Sequence, residues 1–261
     1  MSLFAVLVLG IVEGVTEFLP ISSTAHLILT TALLNIPQSS QVKLFEVVIQ
    51  GGAMFAIVGL FWRKVLTNPD LFVKACIAFV PTAIVGFFMR DFVMDVLFES
   101  HVIISGALMS VGLLFILIEW YIMKGMLKTN RDLSSITYKE ALIVGLIQAC
   151  AIIPGVSRAG AVLIGMMIMK FKRSEAALFS FLLAVPTIAA ATMYELLKSD
   201  SQLLTSEFVG ELVLGGFVAA ISALVVVKWL IGYLQKNSLT YFGVYRIILG
   251  ILVLLAGINM S

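Results

Sequence analysis

Long apolar stretches separated by short polar segments dominate the hydrophobic pattern of this 261-residue chain. Six stretches have the length of about 20 residues with which a helix crosses the hydrocarbon core of a bilayer. Two are longer, and a single helix over the first would run about 50 Å at 1.5 Å per residue. The pattern predicts an all-α integral membrane protein in which the two longest stretches are interrupted. The eight stretches are 3–35, 42–62, 71–89, 102–123, 140–169, 175–197, 208–234 and 241–259.

Composition agrees with this class, because 61% of the residues are hydrophobic and only 12% are charged, against about 25% charged in soluble domains. Each long stretch also carries a proline near its middle, Pro20 in the first and Pro154 in the second. Proline removes a backbone donor and clashes with the preceding turn, so it interrupts a helix. We therefore interpret 3–35 and 140–169 as re-entrant helical hairpins, and the other six stretches as spanning helices.

The distribution of lysine and arginine favours this arrangement. With two re-entrant hairpins, twelve loop cations fall on one side of the membrane and three on the other, whereas eight spanning helices would divide them eight to seven. Arg158 and Arg246 lie within apolar stretches and are not counted. The positive-inside rule then makes the twelve-charge side cytoplasmic and puts both termini outside. The twelve are Arg63, Lys64, Lys74, Lys124, Lys128, Arg131, Lys139, Lys170, Lys172, Arg173, Lys228 and Lys236.

The two halves of the chain, 1–130 and 131–261, have the same segment order. Both long stretches fit Gly-x-x-[Glu/Gln], five or six residues, then Pro-x-x-Ser, and their prolines are 134 positions apart (154 − 20). One hairpin plus three spanning helices gives the halves opposite orientations, which is an inverted repeat within one membrane domain. The two proline turns are then expected to meet near the bilayer midplane, where irregular backbone is tolerated only inside protein or beside a wet cavity.

Glu13 and Glu17 put two carboxyl groups into the first apolar stretch, four residues apart and so on one helix face. Ionisable groups inside a membrane are costly and mark functional sites. Two such carboxylates persist when one is protonated or when a cation lies between them, and Mg²⁺ is often held by one or two carboxylates plus phosphate oxygens. The alternative is a structural polar contact, for example with Gln148.

Ser22, Ser23 and Thr24 follow Pro20 and begin the returning helix, where a serine cap and free N–H groups form an anion site. Helix capping without a ligand is the alternative. His26 lies three residues after Ser23, so the two side chains are expected to face the same way. A serine beside a histidine suits nucleophilic catalysis with a general base.

The second turn contains Gly155, Ser157 and Arg158. Glycine permits close approach of the backbone to a ligand, and the guanidinium fork of arginine matches a phosphate. The alternative for Arg158 is an internal salt bridge to Glu13 or Glu17. Both can hold in different states of the same site.

The stretch from Glu13 to His26 and the run Pro154–Arg158 closely resemble the two signature motifs of the bacterial undecaprenyl-diphosphate phosphatases, a family linked to bacitracin resistance. The resemblance extends over the whole chain in length and segment order. The second motif departs from the family pattern, since Ala159 replaces a serine and Val162 a threonine. Ala25 replaces a glycine in the first. Two hydroxyl groups near the phosphate are thereby lost.

The resemblance implies a phosphatase of the bacterial cytoplasmic membrane that hydrolyses a C55 polyprenyl diphosphate to the monophosphate and inorganic phosphate. Ser23 is the expected nucleophile with His26 as its base, and Arg158 holds the phosphates; the alternative makes His26 the nucleophile. Glu13 and Glu17 are expected to hold a divalent cation, Mg²⁺ or Ca²⁺. The expected substrate-binding residues are Ser22, Thr24, Gln148, Gly155 and Ser157.

The expected partners are the polyprenyl lipid and the bilayer, without nucleic acid, and the sequence leaves a homodimer open. Two other functions remain open as well. Inverted repeats with broken hairpins also build secondary transporters, so a transporter or flippase of a phosphorylated lipid is one alternative. A bacitracin-tolerance or scaffold protein without activity is the other, suggested by Ala159 and Val162.

Overall fold

The computed structural model describes residues 1–97 and 100–257, and most of these residues are helical. Short 3-10 turns and one wide helical turn, Val93–Leu97, fill some of the connections. The all-helical prediction is thus confirmed. In chain order, the α-helices of the described residues are α1 (Leu3–Thr16), α2 (Ser23–Leu33), α3 (Ser40–Thr67), α4 (Pro69–Phe92), α5 (His101–Met123), α6 (Tyr138–Ala149), α7 (Arg158–Ile168), α8 (Arg173–Lys198), α9 (Ser206–Lys236) and α10 (Thr240–Ala256).

Five of these helices, α3, α4, α5, α8 and α9, are long and apolar enough to cross a membrane, which identifies a multi-pass membrane protein. The sixth predicted span, 241–259, corresponds to α10, which has 17 residues. The last two positions of the predicted span, 258 and 259, lie outside the described residues. By contrast, α1, α2, α6 and α7 have 14, 11, 12 and 11 residues. Helices this short reach only about 17–21 Å, less than the core of about 30 Å.

Both long apolar stretches are interrupted at their prolines. The first becomes α1 and α2, separated by residues 17–22, and the second becomes α6 and α7, separated by a 3-10 turn and residues 153–157. The proline breaks in the sequence therefore produce two pairs of short helices. Each pair brings a turn into the interior of the helical assembly.

The two helix pairs follow the same backbone path. The helices α2 and α7 both have eleven residues and start 135 positions apart (158 − 23). Ser22 and Ser157 precede them with φ of 72° and 71°, and Asn35 and Lys170 follow them with φ of 51° and 71°. This register corrects the comparison of the Pro-x-x-Ser motifs by one residue. Ser22 corresponds to Ser157, and Ser23 corresponds to Arg158 in the second helix pair. The shift arises because the first turn has one residue fewer between its proline and the helix.

Helix packing repeats this correspondence. The helix α1 packs on α9 as α6 packs on α4, and α3 packs on α9 as α8 packs on α4. The helices α3 and α8 pack on each other, and so do α5 and α10. Close approach depends on glycine at several crossings. At the α4–α6 crossing, a Cβ atom on Gly145 would lie 2.0 Å from the carbonyl oxygen of Ala78.

We expect Gly145→Ala to destabilise the protein, because the added methyl group overlaps a backbone oxygen that cannot move without shifting α4. Overpacking of this kind costs about 1–3 kcal/mol. Gly106→Ala is the matched control, since no atom lies within 4 Å of a Cβ added there. Thermal unfolding in detergent should show a lower midpoint for Gly145→Ala alone. Equal midpoints for the two variants would contradict the packing at this crossing.

Candidate active site

Glu17 joins the two proline turns. It lies directly after α1 and is 9% exposed. Its Oε2 atom accepts a hydrogen bond of 2.6 Å from the Ser23 hydroxyl group, and its Oε1 atom accepts one of 3.1 Å from Nη2 of Arg158. Arg158 also donates from Nη1 to the carbonyl oxygen of Ser180 at 3.0 Å. One carboxylate therefore contacts a residue at the start of α2 and its counterpart at the start of α7.

These residues border a cavity of about 170 Å³ between the two turns. The N-termini of α2 and α7 both face this region, and free N–H groups at a helix N-terminus favour bound anions. The cavity also has a hydroxyl group, a carboxylate and a guanidinium on its wall. Its lining comprises Glu17, Ser22, Ser23, Thr24, Gln50, Ala151, Ile153, Pro154, Gly155, Ser157, Arg158, Thr187, Ile188 and Ala191.

Ser22 and Ser157 have positive φ angles, a backbone conformation that residues other than glycine rarely adopt. Such conformations are costly and concentrate at functional sites. Both residues cap the helix that follows, since Ser22 Oγ accepts from the N–H of Ala25 at 3.5 Å and Ser157 Oγ from the N–H of Gly160 at 3.2 Å. Their hydroxyl groups are thus engaged with the backbone, whereas the Ser23 hydroxyl group is directed at a carboxylate.

His26 faces away from this cavity. Its Nδ1 atom lies 2.7 Å from the carbonyl oxygen of Ser22, and its Nε2 atom lies 2.7 Å from the hydroxyl oxygen of Tyr245. The ring stacks on that of Tyr245, with centroids 5.7 Å apart, and lines a separate, mostly apolar cavity of about 670 Å³ between α1, α2, α9 and α10. The structure therefore does not bring the predicted pair, Ser23 and His26, into contact. Both ring nitrogens have other partners, and the hydroxyl group of Ser23 donates to Glu17.

Glu13 and Gln148 occupy corresponding positions, 135 residues apart, and both are fully buried. Neither carboxylate oxygen of Glu13 has a hydrogen-bond partner, and the amide oxygen of Gln148 also lacks one. The Gln148 amide group donates to the hydroxyl oxygens of Thr82 at 2.7 Å and Thr187 at 3.5 Å. Gln148 thus lies behind the cavity, and it reaches the cavity wall only through Thr187.

Unpartnered carboxylate oxygens suit a cation. Within residues 1–97 and 100–257, however, no group of three or more His, Cys, Asp or Glu side chains could hold a metal ion. The predicted cation would have the Glu13 and Glu17 carboxylates as its protein ligands, and Glu17 already contacts Ser23 and Arg158. The residues present fit a cation that takes its remaining ligands from water or a phosphate, as Mg²⁺ commonly does.

The helix α10 contributes two residues that the motif comparison missed, Tyr245 and Arg246. Arg246 is fully buried and donates hydrogen bonds to Pro20 in the first turn and to Gly155 and Val156 in the second. The signal was present in the sequence, because an arginine inside an apolar stretch marks a functional site by default. The count of loop charges does not use it, because Arg246 lies within the stretch 241–259.

The cavity can bind an anion at two helix N-termini and at Arg158, while Glu17 is placed to accept a proton from the Ser23 hydroxyl group. This combination of an anion site, a hydroxyl nucleophile and a base within 2.6 Å is suited to transfer of a phosphoryl or acyl group. The surrounding long helices put the chemistry inside the apolar part of the molecule.

Comparison with known proteins relates the chain to one group. The family model described as Bacitracin resistance protein BacA matches residues 6–252. A protein of Sulfurihydrogenibium sp. named undecaprenyl-diphosphatase is 43% identical over 252 residues, which cover 97% of this chain and 98% of the relative. A protein of the same name from Bdellovibrio bacteriovorus is 40% identical, and the match covers 98% of this chain and 96% of the relative. One from Aquifex aeolicus is 39% identical, and that match covers 96% of this chain and 97% of the relative.

Proposed function

This chain belongs to the bacitracin resistance protein BacA family, and we propose that it is an integral-membrane undecaprenyl-diphosphatase. It hydrolyses the C55 polyprenyl diphosphate to the monophosphate and inorganic phosphate, which recycles the lipid carrier of cell-wall synthesis. The observation that carries this function is the contact of Glu17 with both Ser23 and Arg158 beside two helix N-termini. The bacterial cytoplasmic membrane is its location.

In the proposed reaction, the Ser23 oxygen attacks the terminal phosphorus while its proton passes to Glu17. The bond from that phosphorus to the bridging oxygen breaks, and the lipid monophosphate leaves. Water then hydrolyses the phosphoserine to inorganic phosphate. Glu17 replaces His26 as the base because it is the acceptor of the Ser23 hydroxyl hydrogen bond. His26, with Tyr245, supports the first turn through the Ser22 carbonyl group.

Arg158 and the N–H groups at the starts of α2 and α7 bind the diphosphate oxygens and stabilise the charge that develops during transfer. Ser22, Thr24, Gly155 and Ser157 shape this site as lining residues. Gln148 acts one step further away, by orienting Thr187. The substitutions Ala159 and Val162 lie in buried positions of α7, so the hydroxyl groups missing there are lost behind the cavity wall.

We retain the divalent cation as part of the proposal. Glu13 and Glu17 would hold it, and when bound it would neutralise charge on the diphosphate oxygens. Support comes from the two unpartnered, fully buried oxygens of Glu13. The same observation suits a protonated Glu13 carboxyl group. An experiment that removes the cation distinguishes a cation site from a protonated Glu13.

We expect excess EDTA and Glu13→Gln each to lower phosphate release by about 10²- to 10³-fold, because each removes stabilisation of several kcal/mol from the transition state. Their effects should not multiply, so EDTA should change the residual rate of Glu13→Gln little. Added Mg²⁺ should restore the chelated wild type and leave the variant slow. Undiminished wild-type turnover in excess EDTA would remove the metal from the mechanism.

The membrane arrangement is also a proposal. The chain forms an inverted repeat of residues 1–130 and 131–261, each half with one re-entrant hairpin followed by three spanning helices, and both ends face outside. The matched φ values beside α2 and α7 and the repeated packing pairs support it. So do the lengths of α1, α2, α6 and α7, which are too short to span.

Cysteine accessibility tests this topology in whole cells. In a background with Cys76→Ala and Cys150→Ala, we expect Ser39→Cys and Ser201→Cys to react with an impermeant thiol reagent, since both sites are exposed and the proposed arrangement puts them outside. Asn130→Cys, exposed in the loop with Lys128 and Arg131, should react only after permeabilisation. Labelling of Ser39→Cys and Asn130→Cys from the same side would exclude the re-entrant arrangement.

The function itself is tested by phosphate release from polyprenyl diphosphate with purified protein. Release must depend on protein concentration and must be lost in Ser23→Ala, which excludes a contaminating phosphatase. A transporter or scaffold without chemistry would bind or move the lipid and release no phosphate. Binding without release by the wild type would therefore reject the phosphatase.

A further inference from the structure

Arg246 connects the two proline turns from the side of α10. Its Nη1 atom donates to the carbonyl oxygen of Pro20 at 2.9 Å, and its Nη2 atom donates to those of Gly155 at 2.6 Å and Val156 at 3.0 Å. Its Nε atom lies 3.4 Å from the carbonyl oxygen of Leu108 in α5. The side chain is fully buried, so water does not compete for these donors.

The three turn carbonyl groups accept hydrogen bonds from a side chain, that of Arg246. In the described part of the chain, no backbone N–H outside the helices donates to the oxygens of Pro20, Gly155 or Val156. No carboxylate within that part forms an ion pair with Arg246 either. The guanidinium charge is therefore balanced by carbonyl dipoles, and the carbonyl groups are satisfied by the guanidinium.

The contact also orients the second turn. In a planar trans peptide the C=O and N–H groups point in opposite directions. The Val156 carbonyl group points at Arg246, so the N–H group of Ser157 points to the other side of the turn. Ser157 lines the cavity that holds Ser23 and Arg158. One arginine thus fixes both the separation of the turns and the direction of an amide donor.

We propose that Arg246 is a positioning residue for the phosphatase reaction. This inference rests on the proposed function. The Arg246 guanidinium group sets the distance between the starts of α2 and α7, so that Ser23 and Arg158 act on one diphosphate. It touches no substrate atom. Each short helix follows its turn directly, so a change in the separation of the turns moves the nucleophile relative to the phosphate-binding arginine.

Arg246→Lys is the informative variant, because an ammonium group keeps the charge but cannot bridge both turns as the fork does. Misplacement of reacting groups by about 1 Å can cost about 100-fold in rate. We expect kcat to fall by about that factor, with KM for polyprenyl diphosphate within threefold of wild type. A purely structural role would lower the folded fraction and leave the kcat of the folded protein unchanged.

Arg131→Lys is the matched control. Arg131 also donates to backbone carbonyl groups, those of Met169 and Ser135, and to the Glu140 carboxylate, but it lies in the loop before α6 away from the cavity. We expect this variant to lose thermal stability and to keep the wild-type kcat. Every rate is divided by the folded fraction, which is measured by the helical content in circular dichroism. Monodispersity in detergent checks that the variants do not aggregate.

The outcomes separate the two levels of the proposal. Absence of turnover in the wild type rejects the phosphatase itself. An active wild type whose Arg246→Lys variant keeps kcat within threefold, or loses kcat only in proportion to folded protein, overturns the positioning role. Arg246→Gln serves as a second variant and should show the same loss of kcat. If neither variant folds, Arg246 is structural and the inference is wrong.

Discussion

Ser23→Ala is expected to abolish phosphate release, with kcat lower by roughly 10⁴- to 10⁶-fold, as is found when catalytic residues are removed from a hydrolase that forms a covalent intermediate. The physical reason is local. Ser23 is the hydroxyl group that donates to a buried carboxylate at 2.6 Å, while the hydroxyl groups of Ser22 and Ser157 cap helices. Substrate binding should survive, because Arg158 and the helix N-termini are retained.

His26→Ala is the comparison that identifies the nucleophile. If Ser23 attacks and Glu17 takes the proton, the histidine variant should keep measurable turnover and Glu17→Gln should be far slower. A trapped phosphoenzyme should be acid-stable, as phosphoserine is. If His26 attacks, the intermediate is acid-labile, as phosphohistidine is. Acid-labile phosphate that persists in Ser23→Ala and is absent from His26→Ala would reverse the assignment.

Arg158→Lys is expected to lose most activity with the fold intact, by about 10³-fold or more, in the range reported for an arginine that stabilises a phosphoryl transition state. An ammonium group cannot make two parallel hydrogen bonds to a phosphate while another donor holds the Ser180 carbonyl group. A second cation, Arg246, lies between the same two turns.

Arg246 cannot replace Arg158, because its donors are committed to the turn carbonyl groups and it is not among the residues that line the cavity. The rate of Arg158→Lys should therefore not recover through its neighbour. Steady-state kinetics on protein normalised by circular dichroism checks this, with Arg131→Lys as the control for the same change elsewhere. Wild-type turnover in Arg158→Lys would count against a bidentate phosphate contact.

The positions of the chemical groups along the chain were accessible from the sequence. Apolar length determined the membrane class, because bilayer thickness allows few alternatives. The prolines determined where the two long stretches break, since a missing N–H and a steric clash act locally. The motif residues Glu17, Ser22, Ser23, Thr24, Gly155, Ser157 and Arg158 all line one cavity in the structure.

Which groups contact each other was decided only by the tertiary structure. Spacing along a helix predicted that Ser23 and His26 would act together, but side-chain direction depends on neighbours from distant segments. Tyr245 in α10 contacts the His26 ring. Glu17 contacts Ser23, six residues away in the chain, and also Arg158, which is 141 residues away. The contacts of Arg246 have the same origin, because its acceptors are backbone carbonyl groups, which carry no sequence signature. Local rules thus determined the elements and the candidate site residues, and long-range packing determined their partners.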